Sequence, residues 1–359
     1  RLTRFSRIEL ETERDQLRAE IAELEALLAS RQRINELVSD ELEQVAAKFG
    51  TPRRTLLTEA KPSIASASGR GKAAQVQLEV ADVPCRVFLS TTGRILRVDE
   101  PAPAEGVEPG ALARIQPPAR RSKHDAILSQ LDTTSRAEIG AVTNTGRLIR
   151  FSPVDLPAAP LNSIQLGAGV KVGDYLALAD KKERILAIVS LDDARTIALG
   201  TRQGVVKRVV AGDWANKPEF EIIALKPGDE VVGAVQVQDT DEFVFVASDA
   251  QLLRFPASAV RPQGRSAGGM AGINLGDGAR VLSFGAVPAD EKEASVVVTI
   301  ATGGQTLPGT DPGSGKISDL AEFPAKGRAT GGVRAQRFLK GEAELSLAWV
   351  GRGPALAVG

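Results

Sequence analysis

LSTTGRILRV (residues 89–98), VTNTGRLIRF (142–151), LGTRQGVVKRV (199–209) and VASDAQLLRF (246–255) are four versions of one unit. Each reads as an apolar strand, a turn of two or three small or polar residues, and a second strand with arginine at one fixed place: Arg97, Arg150, Arg208 and Arg254. Successive arginines are 53, 58 and 46 residues apart. Strand-built repeats of that length belong to radial all-β architectures of the propeller kind, in which a blade cannot bury its own faces and must stack on neighbours.

The residues between the hairpins extend the pattern. Further strands are announced by glycine followed by an acid: Gly173-Asp174 before YLALA, Gly228-Asp229 before EVVGAVQVQ, Gly276-Asp277 before ARVLSFGAV and Gly341-Glu342 before AELSLAWV. Their apolar residues fall at every second position, as in Val235 and Val237 or Leu345 and Leu347, which is the period of a half-buried strand. A fifth unit opens at VVVTIA (296–301), its turn replaced by the Gly- and Pro-rich GGQTLPGTDPGSGK (303–316), and ALAVG (355–359) reads as the first strand of a sixth. The expected fold is mainly β: a six-bladed β-pinwheel or propeller-like domain over residues 71–359, with five blades or an open disc as alternatives.

The first fifty residues follow a different rule. Leu10, Leu17, Ile21, Leu24 and Leu28 form an a/d seam among Glu and Arg, uninterrupted by Gly or Pro until Gly50. Arg31 and Arg33 break the seam, INELVSDELEQVAAKF (34–49) continues as an amphipathic helix, and Gly50 with Pro52 ends it. Residues 1–50 are therefore expected to be the end of a coiled-coil stalk and a following helix, joined by a linker over 51–70. The chain opens at Arg1 inside a helical pattern, which predicts a fragment whose upstream part supplies the antiparallel partner helix. A helix packed on its own β-domain is the alternative.

Composition narrows the chemistry. Cys85 and His124 are each the only residue of their type, so a disulfide scaffold, a Cys/His metal cage and the usual Cys/His catalytic pair are excluded, and a cytoplasmic setting is expected. No apolar run approaches the roughly 18 residues of a membrane span. Net charge is zero, from 45 basic and 45 acidic residues, but the bases are segregated. Residues 1–50 carry 8 basic and 11 acidic side chains, Arg114 to His124 hold four bases and no acid, and Phe323 to Lys340 hold five bases and no acid. A patch rather than a net charge attracts a phosphate backbone. Solvated polar faces of a large β-protein are the plainer account.

In three of the four hairpins the residues flanking the fixed arginine are apolar, as with Leu96 and Val98, Ile149 and Phe151, Leu253 and Phe255. Alternation then puts the arginine on the opposite face, and the expectation is one outward arginine per blade around the rim. An arginine that snorkels or pairs with a neighbouring acid is the structural alternative.

FSRIELETERDQLRAEIAELEALL followed by INELVSDELEQVAAKFGTPRRTLL resembles the stalk end and its exit into the C-terminal domain in the A subunits of the bacterial type IIA topoisomerases, DNA gyrase (GyrA) and topoisomerase IV (ParC). The hairpins resemble the blades of their C-terminal β-pinwheel. QGRSAGGMAGINL (263–275) and KGRATGGVRAQRF (326–338) share x-G-R-small-x-G-G-aliphatic and look like a blade signature of that family. Such a loop suits phosphate: Gly264, Gly268 and Gly269, like Gly327, Gly331 and Gly332, let backbone amides approach an anion, while Arg265 and Arg328 offer a charged fork. A Gly-rich connection needing positive φ explains the same residues structurally.

The resemblance implies a DNA-binding and DNA-bending domain that contacts duplex through Arg94, Arg97, Arg120, Arg121, Arg147, Arg150, Lys207, Arg208, Arg254, Arg265, Lys326, Arg328, Arg334 and Arg337. It also implies an intact enzyme, an A-subunit homodimer with an ATPase B subunit (ParE/GyrB-like), nucleoid-associated, that passes one duplex through another to decatenate or relax DNA. ATP and Mg²⁺ are used there elsewhere, so no cofactor, metal or catalytic residue is expected in this fragment. The family's catalytic tyrosine lies upstream, and Tyr175 is expected on a blade strand. One departure separates the two family branches. The gyrase branch carries a basic box, Q-R/K-R-G-G-R/K-G, in its first blade; RIQPPARRSKHDA (114–126) is basic but has no glycine. The resemblance is therefore to the topoisomerase IV branch, of the actinobacterial kind, with a gyrase-type wrapping domain that supports negative supercoiling as one alternative. A non-enzymatic propeller scaffold on a coiled-coil stalk is another, and a propeller enzyme is disfavoured because no catalytic constellation is visible.

Overall fold

The structure, a computed structural model, describes residues 2–49, 82–100, 126–161, 164–192, 194–212, 214–303 and 313–355. The chain divides into two compact units, residues 1–77 and 78–359. The first contains helices α1 (Leu2–Leu28) and α2 (Arg31–Phe49). The break falls at Ala29-Ser30, just before the two arginines that interrupt the seam, and the Ser30 hydroxyl accepts the Arg33 N–H at 3.4 Å. Leu10, Leu17, Ile21, Leu24 and Leu28 are each more than half exposed. The linker 51–70 lies outside the described residues.

Among the described residues the second unit is mainly β and holds five blades. Their central hairpins are Pro84–Ser90 with Arg94–Asp99, Ile139–Thr143 with Arg147–Phe151, Thr196–Thr201 with Val205–Val209, Glu242–Ala247 with Gln251–Pro256, and Ser295–Thr302 with Gly315–Asp319. In the first four the turn needs a left-handed residue, supplied by Gly93, Gly146, Gly204 and, in the fourth, Ala250, with φ of +73°, +80°, +83° and +62°. The hydroxyls of Ser90, Thr143 and Thr201 accept the N–H four residues on, at 3.0, 3.2 and 3.1 Å, so the repeated Ser/Thr-x-x-Gly is a turn with its own cap.

A third strand returns along the first strand of each hairpin: Ile127–Thr134, Ile185–Ser190, Val231–Val237, Val281–Val287 and Glu344–Arg352. All five pairings carry a bulge at the same place, next to the hairpin turn. The bulge overturns one expectation. Leu345 is fully buried whereas Leu347 is exposed, because the extra residue Ser346 shifts the alternation between Ile300 and Ala301.

Between one hairpin and its own third strand, the chain crosses to the preceding blade and lays a strand on that blade's edge. Ala158–Ala159 and Val170–Lys171 complete blade 1, Glu219–Glu221 blade 2, Pro262–Gln263 with Met270–Ala271 blade 3, and Val333–Arg334 blade 4. Each of these blades is thus stitched by its successor. The crossing segments span 152–184, 210–230, 257–280 and 320–343.

YLALA is not a strand. Val172–Tyr175 is a short helical turn closed by the Leu176 N–H on the Val172 carbonyl at 2.9 Å, and the strand starts only at Ile185. Tyr175 and Leu178 pack on the core between blades 1 and 2 from this turn, and Tyr175 donates to the Ser152 carbonyl at 3.2 Å. Burial raises its phenol above the ordinary value.

Hairpin strands are apolar on both faces because each face meets a different neighbour. In the fourth blade Phe243 and Phe245 join the core shared with blade 3, while Val244 and Val246 join the core shared with blade 5. The outer face of blade 1 is closed by the crossing segment that blade 2 lays on it, with Ile164 and Leu166 on Phe88, Leu96 and Val98. Cys85 is buried and its thiol is pushed up to about 12 by desolvation. The outward side of blade 5 exposes Ile300, Ile317, Leu347 and Trp349. ALAVG (355–359), expected to begin a sixth blade, lies outside the described residues except for Ala355.

Candidate nucleic-acid interface

The fixed arginines do not form an outward row. Arg97 and Arg208 are 4% exposed, and Lys207 beside the latter is fully buried. The reason repeats from blade to blade: each arginine reaches the start of the crossing segment laid down after the next hairpin. Arg97 Nη1 donates to the carbonyls of Pro153 and Val154, both at 2.7 Å. Arg208 Nη1 donates to those of Ala257 and Val260 at 3.1 and 3.2 Å, Arg150 Nη2 to Ala215 at 2.9 Å, and Arg254 Nη1 to Leu320 at 3.4 Å. The Pro153, Ala257 and Leu320 carbonyls each also accept a backbone N–H within their own turn, and a carbonyl has a second lone pair that the guanidinium, with five N–H groups, can fill. Carboxylates hold the rest of the fork: Asp99 for Arg97, Glu138 for Arg150, Asp239 for Arg208 and Glu242 for Arg254. The arginine that marks the repeat is a clasp between blades. An alternating pattern gives the face of a side chain but not what that face meets, and here it meets protein.

Two further hairpin arginines also face protein. Arg94 donates to the Gly169 carbonyl at 2.7 Å. Arg147 bridges Glu183 and Glu219. Burial would raise the Glu183 carboxyl, but hydrogen bonds from Arg147, Thr145 and Thr143 outweigh it and hold it below the usual carboxylate range.

The crossing segments present a different surface. Lys326, Arg334 and Arg337 are exposed, and Arg265 and Arg328 are half-buried. Their charge is unevenly spread. Segment 152–184 has four basic and four acidic residues, 210–230 has two against five, 257–280 has three against one, and 320–343 has five against two. Positive charge therefore collects on the edges of blades 3 and 4. Arg120 and Arg121 lie outside the described residues, as does most of RIQPPARRSKHDA.

The two G-R-x-x-G-G loops sit on those same edges. Gly269 and Gly332 have φ of +84° and +78°, and a Cβ on Gly332 would stand 2.2 Å from the Leu252 carbonyl oxygen. The second glycine of each pair thus serves a close approach to the hairpin beneath it, which is the structural account of that residue. Gly327 has open space around it. Arg328 donates to the Ala271 carbonyl of the preceding loop, and Lys326 Nζ to the Gly332 carbonyl at 2.9 Å. Arg265 lies over the Phe220 ring with its guanidinium carbon 5.5 Å from the centroid, at one wall of a 480 Å³ cleft between the edges of blades 2 and 3. Phe220, in the strand Glu219–Glu221, and the exposed Lys217 just before that strand stand on the opposite wall and carried no signal in the sequence, because a strand of three residues is too short to show alternation. Among the described residues no cluster of His, Cys, Asp or Glu could hold a metal ion, and no helix is long and apolar enough to cross a membrane.

Five strand-exchanged blades define a β-propeller of the pinwheel kind. A family model described as DNA gyrase C-terminal domain, beta-propeller, matches residues 241–288 and 309–346. The DNA gyrase A subunit of Mycolicibacterium smegmatis is 27% identical over 340 residues, covering 93% of this chain and 37% of that protein. Its counterpart from Helicobacter pylori is 28% identical over 314 residues, covering 86% and 36%. A solved structure described as the C-terminal domain of DNA topoisomerase IV shares the fold, with a TM-score of 0.58 and 22% identity over 76% of this chain and 79% of that one. The chain is similar, over most of its length, to the C-terminal region of these A subunits, and it spans little more than a third of the length of these gyrase relatives.

Proposed function

We propose that the β-domain binds duplex DNA through its phosphates along the edges of blades 3 and 4 and bends it, as part of a topoisomerase IV-type enzyme. The observation that carries this reading is the placement of the bases: two of the four crossing segments are net positive, they are adjacent, and both hold a G-R-x-x-G-G loop. A duplex along those edges would meet Arg261, Arg265, Lys326, Arg328, Arg334 and Arg337, whereas Arg97, Lys207 and Arg208 act behind the surface. With 4% aromatic residues, stacking on single strands contributes little. The absence of any glycine from residues 114–126 favours the topoisomerase IV-type branch over gyrase-type wrapping.

The intact enzyme, on this reading, is a homodimer that works with an ATPase B subunit in the cytoplasm and passes duplexes using ATP and Mg²⁺ bound elsewhere. The exposed seam of α1 supports a coiled-coil partner for the stalk. Binding to a linear duplex is expected to be indifferent to sequence and to weaken by about 10³ to 10⁵ between 50 and 200 mM salt if six to ten phosphates are contacted. A titration series over that range checks it; an affinity that ignores salt contradicts the phosphate path.

A further inference from the structure

Lys207 occupies the slot just before the fixed arginine, where the other hairpins have Leu96, Ile149 and Leu253. It is fully buried, yet its ammonium donates to three carbonyls: Ile222 at 2.8 Å, Arg265 at 2.7 Å and Ala267 at 2.7 Å. An ammonium has three N–H donors, so this cage uses all of them. Two of the carbonyls belong to the Gly264–Ala267 turn that carries Arg265, and the third to the strand end beside Phe220. The backbone bonds of the turn are longer, the Ala267 N–H on Gly264 and the Ala224 N–H on Ala267 both at 3.2 Å.

We infer that Lys207 is a positioning residue for Arg265: by gathering the carbonyls of Arg265 and Ala267 beneath the loop, it fixes the turn so that the Arg265 guanidinium lies over Phe220 at the mouth of the cleft. Turned toward the ammonium, the carbonyls of Arg265 and Ala267 do not face an approaching anion, and Arg265 with Lys217 offsets Glu219 and Glu221 in the lining of the cleft. A guanidinium stacked on a ring gives up little rotamer freedom on binding, so the fork is set before phosphate arrives. A charged lysine in the core is costly to desolvate, and the carbonyl cage offsets that cost. The inference rests on the reading of Arg265 as a phosphate contact.

The test compares Lys207→Met, Arg265→Ala and the double variant in the full chain, titrated with a labelled linear duplex at several salt concentrations, beside amide hydrogen exchange. Arg265→Ala should lower the salt slope by about 1. Lys207→Met should lower it by about the same amount, and the double variant no further, because the two act as one unit. Exchange at the Ala267 and Ala224 amides should rise about tenfold in Lys207→Met while the hairpin amides keep their protection. An unchanged slope in Lys207→Met, or a double variant that loses about twice as much, overturns the inference. If Arg265→Ala alone leaves the slope unchanged, the phosphate reading of Arg265 fails, and unchanged exchange at Ala267 then separately overturns the loop-ordering role. Should Lys207→Met lack a cooperative melt, Lys207→Gln, which keeps two N–H donors, is expected to give an intermediate slope, and a wild-type slope there counts against the inference.

Discussion

Arg208→Ala is expected to destabilise the β-domain by about 2–4 kcal/mol while leaving the salt slope of duplex binding as it was. The magnitude follows from what loses a partner: truncation removes the donors on the Val260 carbonyl and the Thr196 hydroxyl, each unsatisfied group costing about 1–3 kcal/mol, while the Ala257 carbonyl keeps the Val260 N–H at 3.0 Å. Loss of the Asp239 pair adds little, because that carboxylate is 74% exposed. A urea melt read through the midpoint at constant m measures the cost, and the parallel DNA titration separates a clasp from a contact. A slope lower by about 1 with unchanged stability would restore Arg208 to the DNA path and reverse the assignment of all four fixed arginines.

Gly332→Ala is expected to cost about 2–5 kcal/mol. A left-handed φ costs an alanine roughly 1–2 kcal/mol, and a methyl carbon 2.2 Å from the Leu252 carbonyl oxygen forces a backbone shift of the kind that costs about 1–3 kcal/mol. Gly327→Ala, earlier in the same loop and with nothing within 4 Å of its Cβ, should be nearly neutral in stability. Thermal melts of the two variants decide it. Equal melting temperatures would show that the glycine pair is not there for the close approach.

The hairpins were legible because each carries its whole signal locally: two apolar strands, a Ser/Thr-x-x-Gly turn in the first three, and an arginine four residues after the left-handed turn residue. The third strands of blades 3 to 5 were legible for the same reason, since EVVGAVQVQ, ARVLSFGAV and AELSLAWV alternate. YLALA misled because five apolar residues at the end of a tight helical turn look like a short strand when their partner, the core of blades 1 and 2, is unknown. The crossing segments were not legible. Ala158–Ala159 and Pro262–Gln263 have no β pattern of their own and become strands only because a hairpin edge of the preceding blade receives them.

The site was legible in its later half only. The cluster from Phe323 to Lys340 and the two G-R-x-x-G-G loops read directly as a basic edge. Arg97, Arg150, Arg208 and Arg254 carried the wrong sign of exposure, since nothing in a hairpin shows that a segment far downstream brings carbonyls to it. Lys207 did leave a trace: one charged residue in a slot that is apolar in the three sister hairpins.

The central claim is that duplex DNA follows the edges of blades 3 and 4, and the salt slope of Arg265→Ala/Arg328→Ala tests it most directly. The account predicts weaker binding of all duplex sequences alike and a slope lower by about 2, one for each lost phosphate contact, with a smaller change in Arg120→Ala/Arg121→Ala. A wild-type slope in the first pair, with the large loss in the second, would contradict it and move the DNA path to the first blade.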